Sequence, residues 1–164
     1  EPVPPWLPTR NYVTRLASAP KHQLVDPALA ARLLKVDIDA LLERRTTPVP
    51  APRHGVLIGA LFESLVTLSV RVYAQAAEGS VLHMRTRGPG EHEVDLIVER
   101  PDGRVLAIES KLTRMVGDDD VRQLLWLRDQ VGPDLVDMVI ITTGPTAYRR
   151  RDGVAVIPLA LLGA

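Results

Sequence analysis

The stretch from Val94 to Lys111, VDLIVERPDGRVLAIESK, leaves little freedom in what it can become. Glu91 to Glu99 alternates, with Val94, Leu96 and Val98 set to point one way and Glu93, Asp95 and Ile97 the other. Pro101, Asp102 and Gly103 supply the residues of a tight turn, and Val105 to Lys111 resumes as a second strand. The spacing predicts a hairpin. Side chains in a strand repeat every two residues, so Glu109 and Lys111 share the face that carries Val105 and Ala107. Two charges therefore stand where the pattern predicts core or cleft.

Other segments can be placed around this hairpin. Pro2, Pro4, Pro5, Pro8 and Pro20 deny backbone donors, so residues 1–20 read as a Pro-rich linker or tail with little regular structure. Residues 21–164 form the one expected domain, and the stretch over 45–55 is a flexible Pro-rich loop within it. HQLVD suggests a short strand, Asp26-Pro27 starts a helix running to Leu34, and a second short helix is expected after Asp37. From Val56 to about Ala77, Ile58, Leu61, Phe62, Leu65, Leu68, Val72 and Ala76 recur at helical spacing and predict the longest helix, buried along that stripe. Val81 to Arg87 alternates as a strand. A helix follows Gly117, the apolar run Val136 to Thr142 predicts a strand covered on both faces, and Val154 to Pro158 a final short one. The fold class that results is α/β, a mixed central sheet flanked by helices.

Twenty basic residues balance twenty acidic ones, so nucleic-acid binding would have to be local rather than driven by overall charge. Zero Cys excludes disulfides and thiolate metal sites, and His22, His54, His83 and His92 lack ligand spacing for zinc. No uninterrupted apolar run is long enough to predict a membrane span. Cytoplasmic residence is the default expectation. The opening EPVPPWLPTR suggests a C-terminal piece of something larger.

If the hairpin puts Asp95 on the face of Glu109 and Lys111, two carboxylates and an ammonium converge. Carboxylates that close repel, and one is driven neutral unless a cation holds them together. Mg²⁺, or Mn²⁺, suits such a set: it takes oxygen ligands at about 2.0–2.1 Å and keeps several waters. Asp95, Glu109 and the main-chain carbonyl of Ser110 are the candidate ligands, with Lys111 placed to steady an attacking hydroxide or developing charge on phosphorus. The local pattern also allows a plainer reading, in which Glu109 and Lys111 are a solvated edge-strand pair and Asp95 ends a polar face.

A strand Asp, a Glu-x-Lys one hairpin later and a preceding helix that carries a Glu together resemble the PD-(D/E)xK, or restriction-endonuclease-like, nuclease superfamily. More narrowly, KHQLVDPALAARLL, GALFESLV and RTRGPGEHEVDLIVERPDGRVLAIESK, in that order, resemble the module of unassigned function that lies C-terminal to the ATPase in a prokaryotic AAA-type ATPase family. The resemblance runs over residues 21–162. It implies a restriction-endonuclease-like fold, a metal-dependent nuclease activity, an ATPase domain of the same full-length protein as partner, and catalytic roles for Glu63, Asp95, Glu109 and Lys111. Ser110 stands where that family usually has Val, and its side chain is expected to point away from the site. Nothing matches Gly-x-x-x-x-Gly-Lys-Ser/Thr, so ATP binding is not expected of this chain.

Glu63, Thr67 and Arg71 are spaced four apart and could equally form a narrow solvated stripe. Gln123 occupies a helix position that the superfamily often gives to a polar residue facing the sheet. Asp118, Asp119 and Asp120 suit helix capping. Arg85, Arg87, Arg114 and Arg149, with Arg150 and Arg151, could line a phosphate track, although an arginine triplet in a loop is also ordinary solvated surface. Trp6 and Trp126 read as packing residues. Three functions remain open: a metal-dependent nuclease, a catalytically silent module that grips nucleic acid or protein, and a structural domain that regulates or oligomerises the ATPase.

Overall fold

The computed structural model describes residues 1–9, 18–42, 54–86 and 90–163. In chain order these form β1 (Pro2–Val3), β2 (Pro5–Trp6), β3 (Lys21–His22), α1 (Pro27–Leu33), α2 (Ile38–Leu41), α3 (His54–Ala76), β4 (Ser80–Arg85), β5 (Glu93–Glu99), β6 (Val105–Lys111), α4 (Asp118–Val131), β7 (Leu135–Thr142), β8 (Tyr148–Arg149) and β9 (Ala155–Pro158). The main sheet has the strand order β2-β4-β5-β6-β7-β9-β8, and β1 pairs with β3 separately. Pairing is antiparallel in β4/β5, β5/β6 and β8/β9, and parallel in β2/β4, β6/β7 and β7/β9. The class is α/β with a mixed sheet, as predicted.

Local chemistry accounts for the elements. The hairpin turn closes through the Gly103 N–H to Arg100 O and a bond from the Arg104 N–H to Asp102 Oδ1, with Gly103 at φ 82°, a conformation that glycine adopts at little cost. Asp26 caps α1 by accepting the N–H groups of Ala28 and Leu29. At α4 the Asp120 carboxylate reaches back to the Gly117 N–H, so one member of the acidic triplet caps the helix, while Asp118 and Asp119 pair with Arg150 and Arg122. The crossover through α4 is what allows β6 and β7 to run parallel.

Each face of the sheet has its own core. Val121, Leu124 and Leu127 of α4 meet Met84, Val94, Ile97, Val105, Ala107, Met138 and Ile140 on one face. On the other, Val66 and Val70 of α3 meet Leu96, Ile108, Val139 and Ile141. Val94 and Leu96 thus lie on opposite faces, contrary to the expected alternation. The cause is a bulge: β4 and β5 pair at Leu82↔Ile97 and at Met84↔Val94, so Asp95 and Leu96 together oppose His83.

Several expectations are corrected. Residues 1–6 are integral to the fold: Val3 is fully buried, Trp6 is 4% exposed, and β2 forms the edge of the main sheet, pairing with β4, where the His83 N–H donates to Pro4 O at 2.9 Å. Proline is tolerated there because an edge strand need not donate on its outer side. Of the predicted strand HQLVD only His22 lies in a strand, as the second residue of β3. Helix α3 begins at His54 and so takes in the last two residues of the predicted Pro-rich loop, whose residues 45–53 lie outside the described residues. On α3 the buried apolar positions are Leu61, Val66, Val70 and Ala74, whereas Leu65, Leu68 and Val72 of the predicted core stripe are exposed. The stretch Gly55–Ala76 also has the length and composition to cross a membrane, with a mean hydropathy of 1.7, although here one side of it packs on the sheet.

Candidate functional site

The hairpin ladder ends at Leu96↔Ile108. Beyond that pair the strands part, and the Asp95 carboxylate fills the gap: Oδ2 accepts the Ser110 N–H at 2.9 Å and the Ser110 hydroxyl at 2.8 Å. The Ser110 side chain therefore grips the site instead of pointing away from it, because the bulge in β5 turns Asp95 toward it. Glu109 and Lys111 continue the face of Val105 and Ala107. Asp95, Glu109 and Lys111 are brought together in one cleft of about 380 Å³, lined also by Arg85, Glu91, Glu93 and Gln123.

The three groups differ in their surroundings. The Glu109 side chain is 7% exposed and accepts no hydrogen bond among the described residues; Lys111 Nζ, 3.7 Å from Oε2, is its ion-pair partner. Burial, then the adjacent Asp95 charge, pushes the Glu109 carboxyl up to about 8. Lys111 is 38% exposed and reaches solvent at the cleft mouth.

A second constellation adjoins the first. Lys21 Nζ of β3 lies 2.7 Å from Glu63 Oε1, 3.0 Å from Glu93 Oε1 and 3.5 Å from Asp95 Oδ1. Burial opposes the Lys21 charge, but Asp95, then Glu63 and Glu93, outweigh it and hold the ammonium above its ordinary range. Glu63 also accepts from Gln23 Nε2 at 2.5 Å, and the Thr67 hydroxyl is buried, donating to Glu63 O. Arg71 pairs with Glu1. The Glu63-Thr67-Arg71 stripe thus faces the N-terminal segment and not solvent. Gln123 faces the cleft, as Oε1 sits 2.8 Å from His92 Nδ1, and the His92 ring stacks on Trp126 at 3.7 Å. Burial pushes His83 below its ordinary value; its Nε2–H donates to Ala19 O at 3.2 Å and leaves Nδ1 buried without a partner among the described residues.

The arginines are scattered. Arg85 lines the cleft but is engaged by Glu91, with Glu93 at 3.9 Å. Arg114 is exposed just beyond β6. Arg149 is not part of the cleft. The β6/β7 register sets Asp137 beside Leu106 and Thr142 beside Lys111, and the Arg149 guanidinium is bound to Asp137 by two bonds of 2.8 Å, at the opposite end of the sheet. Arg150 is held by Asp118 and Asp152. Arg87 lies outside the described residues.

Sequence reading missed Lys21 and Glu93. Glu93 carries a signal, since it alternates with Asp95 in one strand. Lys21 carries none, because only the folding of the N-terminal strands onto β4 brings it there.

A model of the family described as a domain of unknown function, DUF4143, matches residues 58–162. The chain belongs to the DUF4143 family. The DUF4143 match contains Glu63, Glu93, Asp95, Glu109 and Lys111 and leaves out Lys21. No curated protein matches this DUF4143 chain. Among solved structures, a Thermococcus gammatolerans assembly of McrB AAA+ hexamers with bound McrC is similar at 14% identity and a TM-score of 0.44, over 89% of this chain and 39% of that one. So loose a likeness, over well under half of the longer chain, carries no conclusion about function.

Proposed function

We propose that this DUF4143 domain is a metal-dependent phosphodiesterase acting on nucleic acid, joined in a longer protein to an AAA-type ATPase. One observation carries the reading: where β5 and β6 part, Asp95, Glu109 and Lys111 open into a single cleft, with Glu109 buried there and accepting no hydrogen bond among the described residues. The ATPase partner rests on the sequence resemblance alone.

The donor set fits Mg²⁺ or Mn²⁺ in kind. Carboxylate oxygens are hard ligands, and a buried acid at about 8 beside a second acid is a pair that a cation would stabilise. Among the described residues no three His, Asp or Glu side chains are grouped to hold an ion unaided. Asp95 and Glu109 would hold the ion, with the Ser110 carbonyl, water and substrate oxygens completing its shell, as Mg²⁺ commonly requires. Such an ion supplies charge stabilisation at phosphorus and an activated water. Lys111 stands at the mouth to steady negative charge on the phosphoryl oxygens. Ser110 fixes the Asp95 rotamer, so the carboxylate is oriented before substrate arrives.

Cleavage of supercoiled plasmid and of single strands, with and without Mg²⁺ or Mn²⁺, tests this. Wild type should nick only with the ion, and Asp95→Asn or Glu109→Gln should lower the rate by about 10²-fold or more. Metal-dependent cleavage that survives both substitutions would exclude this centre. The balanced net charge and paired arginines favour a second reading, a silent binding module, which would retain nucleic acid without cutting it under any ion.

A further inference from the structure

Three carboxylates from α3 and β5 converge on one ammonium. Among the described residues Lys21 is the cation that contacts all of Glu63, Glu93 and Asp95. Beside them Glu109, nine-tenths buried, lines the cleft that Glu93 and Asp95 also line and, with Lys111 3.7 Å away, accepts no hydrogen bond among the described residues. Many phosphodiester-cleaving centres use two cations about 3.5–4 Å apart. We propose that the Lys21 ammonium takes the place of a second divalent ion, fixing Glu63, Glu93 and Asp95 and restricting the centre to one exchangeable metal held by Asp95 and Glu109. The inference rests on the metal-dependent reading given above.

Three features support it. Lys21 is anchored from two sides, since β3 pairs with β1 at Val3↔Lys21 and the neighbouring Gln23 ties Glu63, itself receiving the Ser64 hydroxyl at 2.8 Å. The three acids lie 2.7, 3.0 and 3.5 Å from Nζ, within reach of the three donors of one ammonium. Charge also agrees. Glu63, Glu91, Glu93, Asp95 and Glu109 are five carboxyls, and Lys21, Arg85 and Lys111 are three cations, a deficit of two when all are ionised and so the charge of one divalent ion.

The test is the Mn²⁺ stoichiometry of the full chain, measured by calorimetry and by electron paramagnetic resonance. Wild type and Lys21→Arg should take up one ion, and Lys21→Met should take up two. One ion in Lys21→Met as in wild type overturns the role of Lys21 while leaving a metal-dependent centre intact; two ions in wild type do the same. No ion in either protein overturns both readings. Should Lys21→Met not fold, as judged by circular dichroism, the Lys21 ¹⁵Nζ resonance of wild type decides. It should stay in place and slow to exchange under saturating Mg²⁺, and its loss or displacement overturns the proposal.

Discussion

Asp95 takes over a rung of the sheet. Its carboxylate accepts the Ser110 N–H that an unbroken ladder would have given to a main-chain oxygen, so the same side chain ends the hairpin and orients the reactive centre. Beside it, Glu109 carries a pH signature. Its carboxyl ordinarily titrates at 4.5 and is raised to about 8, first by burial and then by Asp95. Between those values the folded chain holds a proton that the unfolded chain releases, so this contribution to stability is full below about 4.5 and is lost as pH rises to about 8. In chelator, urea midpoints of wild type should fall over that window, and Glu109→Gln should flatten the fall and be more stable at pH 9 by at least about 1 kcal/mol. Parallel pH profiles for the two proteins would contradict this. Asp95, Glu109 and Lys111 were legible because charges interrupt an otherwise apolar strand pattern. The Ser110 grip was not, since it depends on a bulge through which apolar and polar residues keep alternating unchanged.

Among the elements, the hairpin was the most legible, its turn chemistry and its period agreeing on one register. Helix α3 was legible in extent but not in orientation. With Glu63 and Arg71 its only charged residues, it is apolar nearly all round, and periodicity could not choose between the stripe of Leu65, Leu68 and Val72 and the buried one of Val66, Val70 and Ala74. The N-terminal strands were hidden by their prolines, which argue against a central strand but permit an edge. Trp6 shows how much they contribute: it is 4% exposed in the α4-side core, and its Nε1–H donates to Glu99 Oε1 at 3.1 Å. Trp6→Ala should cost about 3 kcal/mol or more in urea denaturation. A loss under about 1 kcal/mol would show that β2 is only loosely attached.

At the scale of the whole molecule, the balance of twenty acidic and twenty basic residues leaves few cations for a phosphate backbone. Lys111 and Arg85 line the cleft, Arg114 is exposed three residues beyond Lys111, and Arg85 is already shared with Glu91 and Glu93. At roughly 0.9 per neutralised phosphate, log affinity for duplex DNA against log salt should slope no more steeply than about −3. A slope near −6 in fluorescence anisotropy would require a basic surface that these residues do not form. The α/β architecture was legible from the order of elements, whereas the closing of the sheet edge by residues 1–6 was not. That edge has a practical corollary for the family. Boundaries drawn at the stretch that the family model matches, 58–162, would discard Val3, Trp6 and Lys21 at once. A domain shortened in that way would expose an open strand, two greasy hollows and a knot of uncompensated negative charge, and an inactive or insoluble preparation of it would say nothing about what the intact protein does.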